Sequence, residues 1–256
     1  MTPAKEKVII MIPTHNEALV IEDTIQQVLA HTRELDNFKV ELLIFDSAST
    51  DETRTVVQKL MLKYPEHVHL QVEAQKTGLG SAYLQAMTFA LQQLHADIVV
   101  EFDADLSHQP KYIPPILDRL KTCDVVVGSR YVLGGSIPSN WRLHRKLLSV
   151  LGNHTARLLL TRRYQDFTSG FRATRRCILE QTLPDTFLSN HFAYKLHFMW
   201  LLHQKHAHIL EFPIVFQDRE KGTSKLPANS IRDALRVLFI IRLGLIKTRL
   251  MLMRQR

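Results

Sequence analysis

Val8-Ile-Ile-Met-Ile-Pro-Thr-His-Asn-Glu17 runs five apolar residues together, stops them with a proline and continues with four polar residues. Ile21, Ile25, Val28 and Leu29 follow at helical spacing, so the segment reads as strand, loop, helix. The same unit recurs downstream. Val40 to Phe45 is a second strand, and Ser49 and Glu52 have the spacing of a capping box for a helix that buries Val56, Val57, Leu60 and Met61. Val68, Leu70 and Val72 alternate as a third strand. After Gly78-Leu-Gly80 a helix carries Tyr83, Met87, Ala90 and Leu94 on one side, and Ile98 to Phe102 and Val125 to Val127 complete the strands. Apolar strands separated by helices are the pattern of a parallel sheet covered on both faces. Such a sheet binds ligands beyond the carboxyl ends of its strands.

The second half is less regular. Residues 131–142 are rich in Gly, Ser, Pro and Asn and read as a loop that can act as a lid. Leu147, Leu151 and Leu158 mark one helix, and Phe192, Leu196, Met199, Trp200 and His203 mark another. Leu210, Phe212, Ile214 and Phe216 alternate as a strand, which Pro213 sends to a sheet edge because proline donates nothing to a ladder. Residues 231–253 are helical in character, with Arg232, Arg236, Arg242, Lys247 and Arg249 set among Leu, Ile, Val and Met. That mixture is too charged to span a bilayer and suits lying on one. An apolar face serves equally for packing or dimer contact.

The chain has 256 residues, 45% hydrophobic and 23% charged. That is the composition of a folded domain able to bury a core without disulfide or metal staples. Cys123 and Cys177 have neither C-x-x-C nor zinc-ligand spacing and read as reduced thiols of a cytosolic protein. The first apolar run is too short for a signal peptide. No window holds the roughly 18 uninterrupted apolar residues of a spanning helix. The formal charge of +8 conceals a division: residues 1–129 sum to −7 and residues 130–256 to +15. A basic half of this size fits nucleic acid or a phosphate-bearing membrane surface. It has no aromatic stacking array or recognition-helix motif, and the acidic half repels a nucleic-acid backbone. The expectation is therefore no nucleic acid.

Four polar features stand at strand ends: Pro13 to Glu17, Asp46 to Asp51, Lys76 to Gly80, and Asp103-Ala-Asp105. Two carboxylates two residues apart beyond a buried strand repel each other and call for a cation. A hard divalent ion with oxygen ligands fits, and shared with nucleotide phosphates it would neutralise a leaving diphosphate. Each feature also has a plainer reading. Asp46 and Asp51 can cap the next helix, Glu17 can be a first-turn acid, and Arg219 and Lys225 can be solvated. The histidines at 191, 197, 203, 206 and 208 straddle both faces of a helix and read as surface or core side chains.

In order and spacing, Pro13 to Glu17, Asp46 to Asp51, Gly78 to Tyr83 and Asp103 to His108 resemble the inverting family 2 glycosyltransferases. Gly128 to Tyr131, Gly134-Gly135, Trp141 to Ser149, Asp166 to Arg172 and Asp218 to Lys225 resemble their dolichyl (polyprenyl) phosphate mannosyltransferase branch. The resemblance implies a glycosyltransferase A (nucleotide-diphospho-sugar transferase) fold, a mostly parallel sheet flanked by helices. The implied domains are a catalytic unit over 1–227, with 130–145 as a mobile acceptor loop, and a basic amphipathic helix over 228–256. It further implies Mg2+ or Mn2+ and transfer of mannose from GDP-mannose to a polyprenyl phosphate, on the cytoplasmic face of a membrane to which the protein attaches peripherally. A separate membrane-anchoring subunit is compatible with the lack of a span.

By this resemblance Asp103, Asp105, Arg130 and Arg219 are the catalytic residues, and Asp103 and Asp105 hold the metal. Pro13, His15, Glu17, Asp46, Lys76, Asp103, Ser107, Arg219 and Lys225 bind the nucleotide sugar, and Arg130, Arg145 and Lys225 bind the acceptor phosphate. Three positions depart from the branch: His15 stands for a usual Tyr, Ser47 for a frequent second Asp, and Glu52 for a usual Gly. Ser47 bears on the nucleobase and leaves a UDP-sugar donor open. The chemistry is coherent, since a phosphate monoester is largely anionic at neutral pH and is already a nucleophile. Positioning of two anions and charge stabilisation on the leaving diphosphate are what remain, by direct displacement with inversion.

Overall fold

The computed structural model of the protein describes residues 5–141, 143–219 and 229–254. The first half repeats one unit. β1 (Glu6–Thr14), α1 (Ile21–Thr32), β2 (Phe38–Ser47), α2 (Thr53–Lys63), β3 (Val68–Glu73), α3 (Leu79–Gln92) and β4 (Ile98–Glu101) follow one another, and α4 (Ile113–Arg119) leads to β5 (Val125–Ser129). The second half adds α5 (Leu143–Leu159), β6 (Arg172–Arg175), α6 (Arg176–Thr182), α7 (Tyr194–Gln204), β7 (Ile209–Pro213) and α8 (Ser230–Arg254).

Seven strands form one sheet in the order β3-β2-β1-β4-β6-β5-β7. All neighbours are parallel except β6, which runs antiparallel to both β4 and β5. The sheet is buried on both faces because successive side chains alternate sides. Val8, Ile10 and Ile12 of β1 join Ile25 and Val28 of α1 and Ile113 of α4 in one core. Ile9 and Met11 join Met87 of α3, Phe198 of α7 and Leu238 of α8 in the other. The mostly parallel three-layer architecture is the one the sequence predicts, and the register Thr14↔Asp46 aligns the ends of β1 and β2.

Several local expectations are corrected. Ser49 and Glu52 make no capping box: α2 has no side-chain bond at its cap, Ser49 Oγ accepts the Asn16 N–H, and Asp51 accepts the Thr53 N–H instead. Val72 is 43% exposed because β3 is an edge strand. The predicted strand through Phe216 ends at Pro213, beyond which Val215 only bridges Ser136. α7 begins at Tyr194, so Phe192 precedes it. α5 forms where Leu147, Leu151 and Leu158 predict a helix, and these three leucines are each more than half exposed along it. Its first residues, including Arg145, take up the end of the predicted 130–145 loop. The rest of that loop is tied to the segment that follows β7, by Ser136 N–H to Ile214 O (3.0 Å) and Phe216 N–H to Ser136 O (3.0 Å).

α8 packs Val237, Leu238 and Ile241 into the core and leaves Ile231, Leu235 and Phe239 about half exposed or more. It therefore packs along one side and is open along another. Arg236 and Arg242 donate to the carbonyls of Leu188 and Leu159, both at 3.3 Å. Among the described residues no helix is long and apolar enough to cross a membrane. Cys123 is buried, Cys177 is exposed, and both are free thiols.

Candidate active site at the carboxyl ends of β1, β2 and β4

The loops leaving β1, β2 and β4 each carry a non-glycine residue with positive φ: Asn16 (55°), Ala48 (52°) and Leu106 (59°). That conformation is costly for alanine and leucine. Three such residues at one end of one sheet mark a place where geometry is held against local preference.

His15 bonds through Nδ1 to the Ser47 carbonyl (2.8 Å), joining the β1 and β2 loops. Asn16 Oδ1 accepts the Thr50 N–H (2.8 Å), and Thr53 Oγ1 accepts the Glu17 N–H (2.9 Å). Asp46 is fully buried and takes the Ser49 N–H (3.0 Å), Arg54 Nε (2.8 Å) and, from Thr14 Oγ1, a longer contact (3.3 Å). Pro13 lies within β1 beside these groups. Lys76 is exposed in the loop after β3. The glycines after it serve close approach: a Cβ at Gly78 or Gly80 would overlap the backbone carbonyl of Asn190 or Ser189.

Asp103 and Asp105 follow β4. Asp105 is mostly buried; Oδ1 takes the Ser107 N–H (3.1 Å) and Oδ2 takes both Nε (3.0 Å) and Nη2 (2.6 Å) of Arg219. Burial opposes its ionisation, yet the Ser107 bonds and the Arg219 charge outweigh burial and hold the carboxyl below its ordinary range. Ser107 is itself buried and accepts the Gln217 N–H (3.0 Å), so it anchors the segment that delivers Arg219. Arg219 Nη2 also lies 3.9 Å from Glu17. Asp103 is more open and lies 3.4 Å from Nδ1 of His108. Burial among Phe102, Phe171 and Phe216 pushes the His108 imidazole down to about 4 and keeps it neutral.

The basic side is built just as tightly. Arg130 forks onto the buried Asp166 through Nε and Nη2, both at 2.7 Å, and Nη2 also reaches Thr168 Oγ1 (2.7 Å). This leaves Nη1 as the nitrogen it can offer a ligand. Arg145 stacks on Trp141 at 3.9 Å and pairs with Asp218 at 3.1 Å. Trp141 meets Phe216 edge-on, and Arg130 lies over that same ring. One wall thus joins Arg130, Arg145 and Arg219. Lys225 lies outside the described residues.

Asp103 and Asp105 offer hard oxygens, and among the described residues no cluster of three or more His, Cys, Asp or Glu is poised for a metal. That donor set fits an ion that takes one or two protein carboxylates and fills its shell from water and substrate phosphates. An ion held at Asp105 would share that carboxylate with Arg219, which already occupies Oδ2.

Sequence reasoning passed over two parts of this site. In the sequence Asp166 stands out only as part of a motif, whereas in the structure it fixes Arg130. Lys195, between Tyr194 and Leu196 in the first turn of α7, is 6% exposed, and its ammonium and Asp103 Oδ2 both lie against Gly170; a lysine inside a buried helical face is the available signal.

Residues 9–183 match the family described as Glycosyl transferase family 2. The chain is 32% identical over 231 residues to a polyprenol monophosphomannose synthase of Mycolicibacterium smegmatis, covering 90% of this chain and 84% of that one. It is 33% identical over 239 residues to an undecaprenyl-phosphate mannosyltransferase of Micrococcus luteus, covering 93% and 94%. Among solved structures, glucosyl-3-phosphoglycerate synthase of Mycobacterium tuberculosis superposes with TM-score 0.66 at 17% identity, covering 93% of this chain and 80% of that one. A mannosyltransferase of Pyrobaculum calidifontis in complex with GDP-Man and Mn2+ superposes with TM-score 0.54 at 18% identity, covering 98% and 81%.

Proposed function

The chain belongs to glycosyltransferase family 2, and on that premise we propose that it transfers mannose from GDP-mannose to a polyprenyl phosphate, with inversion, at the membrane surface. The relatives named for mannose transfer to polyprenyl or undecaprenyl phosphate support the sugar and the lipid class. The structural neighbour holding GDP-Man and Mn2+ is in keeping with that donor and a divalent ion. The observation that carries the reading is the meeting of the two halves, where the Asp105 carboxylate lies within hydrogen-bond reach of Arg219.

In this reading Asp103 and Asp105 hold Mg2+ or Mn2+, which supplies neutralising charge to the leaving diphosphate. Arg219 releases Asp105 and turns to the phosphates. Arg130, held rigid by Asp166, and Arg145, held on Trp141, steer the acceptor phosphate by charge and planar hydrogen bonding. The acceptor is already an anion, so no general base is assigned. His15, Glu17 and Asp46 shape the nucleotide pocket, and the exposed apolar residues of α5 and α8 rest on the bilayer that carries the acceptor. The +15 of the second half serves lipid phosphate and headgroups in place of nucleic acid. The location is then the cytoplasmic face, peripheral, alone or beside an anchoring subunit.

The test is transfer from labelled GDP-mannose to a short polyprenyl phosphate, with UDP-glucose and other sugar nucleotides as competitors, with and without Mg2+ or Mn2+. Metal-dependent mannosyl lipid is the expected product. Preference for a UDP-sugar would replace the donor while keeping the fold, and absence of transfer from every sugar nucleotide would overturn the reading.

A further inference from the structure

Lys195 has no task in the mechanism above, and its position is costly. It is 6% exposed and stands in the first turn of α7, where the helix dipole disfavours a cation. Of the nearby carboxylates, Glu101 is paired with Arg172, and Asp103 lies 3.4 Å from the neutral His108 imidazole. Among the described residues Lys195 has no ion pair. Enclosing a lysine side chain this far without pairing its charge is costly on general grounds.

The surroundings hold it there. Tyr194 donates to Glu101 Oε1 (2.8 Å) and stacks on Tyr83 (5.3 Å), which fixes the start of α7 under β4. Gly170 clears the space: a Cβ there would overlap the Lys195 ammonium and lie 3.2 Å from both Oδ2 of Asp103 and Cε1 of His108. The ammonium therefore sits on the floor of the site, beside the Asp103 carboxylate, with the Phe192 ring 5.6 Å away. Places where a chain bears a local cost without a structural return are where function is expected.

We propose that Lys195 is a phosphate-binding residue of the active site, its ammonium taking an oxygen of the donor diphosphate or of the acceptor monophosphate. This rests on the transferase reading, which brings two phosphorylated substrates to Asp103.

The test uses the full chain with Lys195→Met, which keeps most of the stem and removes the charge. Calorimetry at saturating Mg2+ measures binding of nucleoside diphosphate, pyrophosphate, inorganic phosphate and uncharged nucleoside, beside KM for the sugar nucleotide and for a short polyprenyl phosphate. The expected result is at least ten-fold weaker binding in one arm, with nucleoside affinity unchanged. Loss with pyrophosphate and nucleoside diphosphate assigns the donor; loss with inorganic phosphate and a raised acceptor KM assigns the acceptor. Gly170→Ala, which displaces the ammonium without deleting it, should weaken the same arm, and both it and Lys195→Gln serve if Lys195→Met does not fold. Wild-type affinity in every arm would overturn the proposal. So would a defect seen only as a higher metal requirement, because Lys195 would then merely neutralise Asp103. The phosphate titrations need no turnover, so a wild-type protein that transfers no sugar sinks the transferase reading while the Lys195 comparison stays readable.

Discussion

Arg219 places two nitrogens on one oxygen of Asp105, Nε at 3.0 Å and Nη2 at 2.6 Å. Across this pair the acidic half of the chain meets the basic half. On the proposed mechanism, a metal held at Asp105 would take the place of Arg219, which would then be available to the diphosphate.

Asp105→Asn removes both the carboxylate proposed to hold the ion and the charge that Arg219 pairs with. Transfer should fall by about 10³-fold or more, in line with loss of a main charge-stabilising group. Arg219→Lys keeps the charge but not the fork and should lose roughly 10- to 100-fold in kcat/KM. Initial rates at saturating metal check both, and near-wild-type rates for Asp105→Asn would remove this carboxylate from the mechanism.

Glu101 and Arg172 form an ion pair at 3.1 Å with both side chains 1% exposed. Burial pushes the Glu101 carboxyl up, and the Arg172 charge only partly offsets that. Arg172→Met leaves a carboxylate buried with Tyr194 as its hydrogen-bond donor and should cost about 3–5 kcal/mol, lowering Tm by roughly 10 °C or more in a chain of this length. Glu101→Gln in the same background should recover part of the loss. Thermal melts of the single and double variants decide it.

The regular half of the fold was legible because its strands are long apolar runs with helices between them, as in Val8 to Ile12 before α1. β6 was not: Arg172-Ala-Thr-Arg175 is four residues with an arginine at each end, and its place between β4 and β5 comes from tertiary pairing. Arg172 is buried against Glu101, a pairing far apart in sequence. The capping box failed for a related reason, because Ser49 found Asn16 across the loops before it could serve its own helix. At the site, carboxylates at strand ends were readable from spacing alone. Lys195 was not, since it becomes part of the site only when α7 folds back beneath Asp103.

His197 predicts a pH effect on stability. Burial pushes its imidazole down from 6.5 to about 4, and the Leu188 N–H donates to Nδ1 (3.2 Å), a bond that protonation breaks. The unfolded chain takes up a proton near pH 6.5 and the folded chain near 4, so the contribution is full above 6.5 and is lost as pH falls through that interval. The loss should be about 1–2 kcal/mol after allowing for solvent screening. His197→Gln, which keeps an acceptor for Leu188, should flatten this limb in urea titrations run between pH 7 and 4; an unchanged slope would rule out the assignment.

On the proposed peripheral attachment, the faces of α5 and α8 predict where the protein would touch lipid. Leu151 is 57% exposed on α5 and Phe239 63% on α8, and the two helices pack against each other, so their open sides can rest on one surface. Arg236 and Arg242 are engaged with backbone carbonyls, so among the described side chains of α8 the exposed Arg232 and Lys247 are the cations that would meet headgroups. Burying a large apolar side chain is worth about 1.5–3 kcal/mol. Removing half that burial at both Leu151 and Phe239 should therefore weaken binding to anionic vesicles by roughly ten-fold or more. Leu151→Glu with Phe239→Glu should do so in co-sedimentation, and added salt should weaken the wild type further. Both positions face solvent, so stability should change little. An unchanged Tm with lost sedimentation assigns the face to the membrane, whereas a fall in Tm or a change in oligomeric state would assign it to packing or self-association.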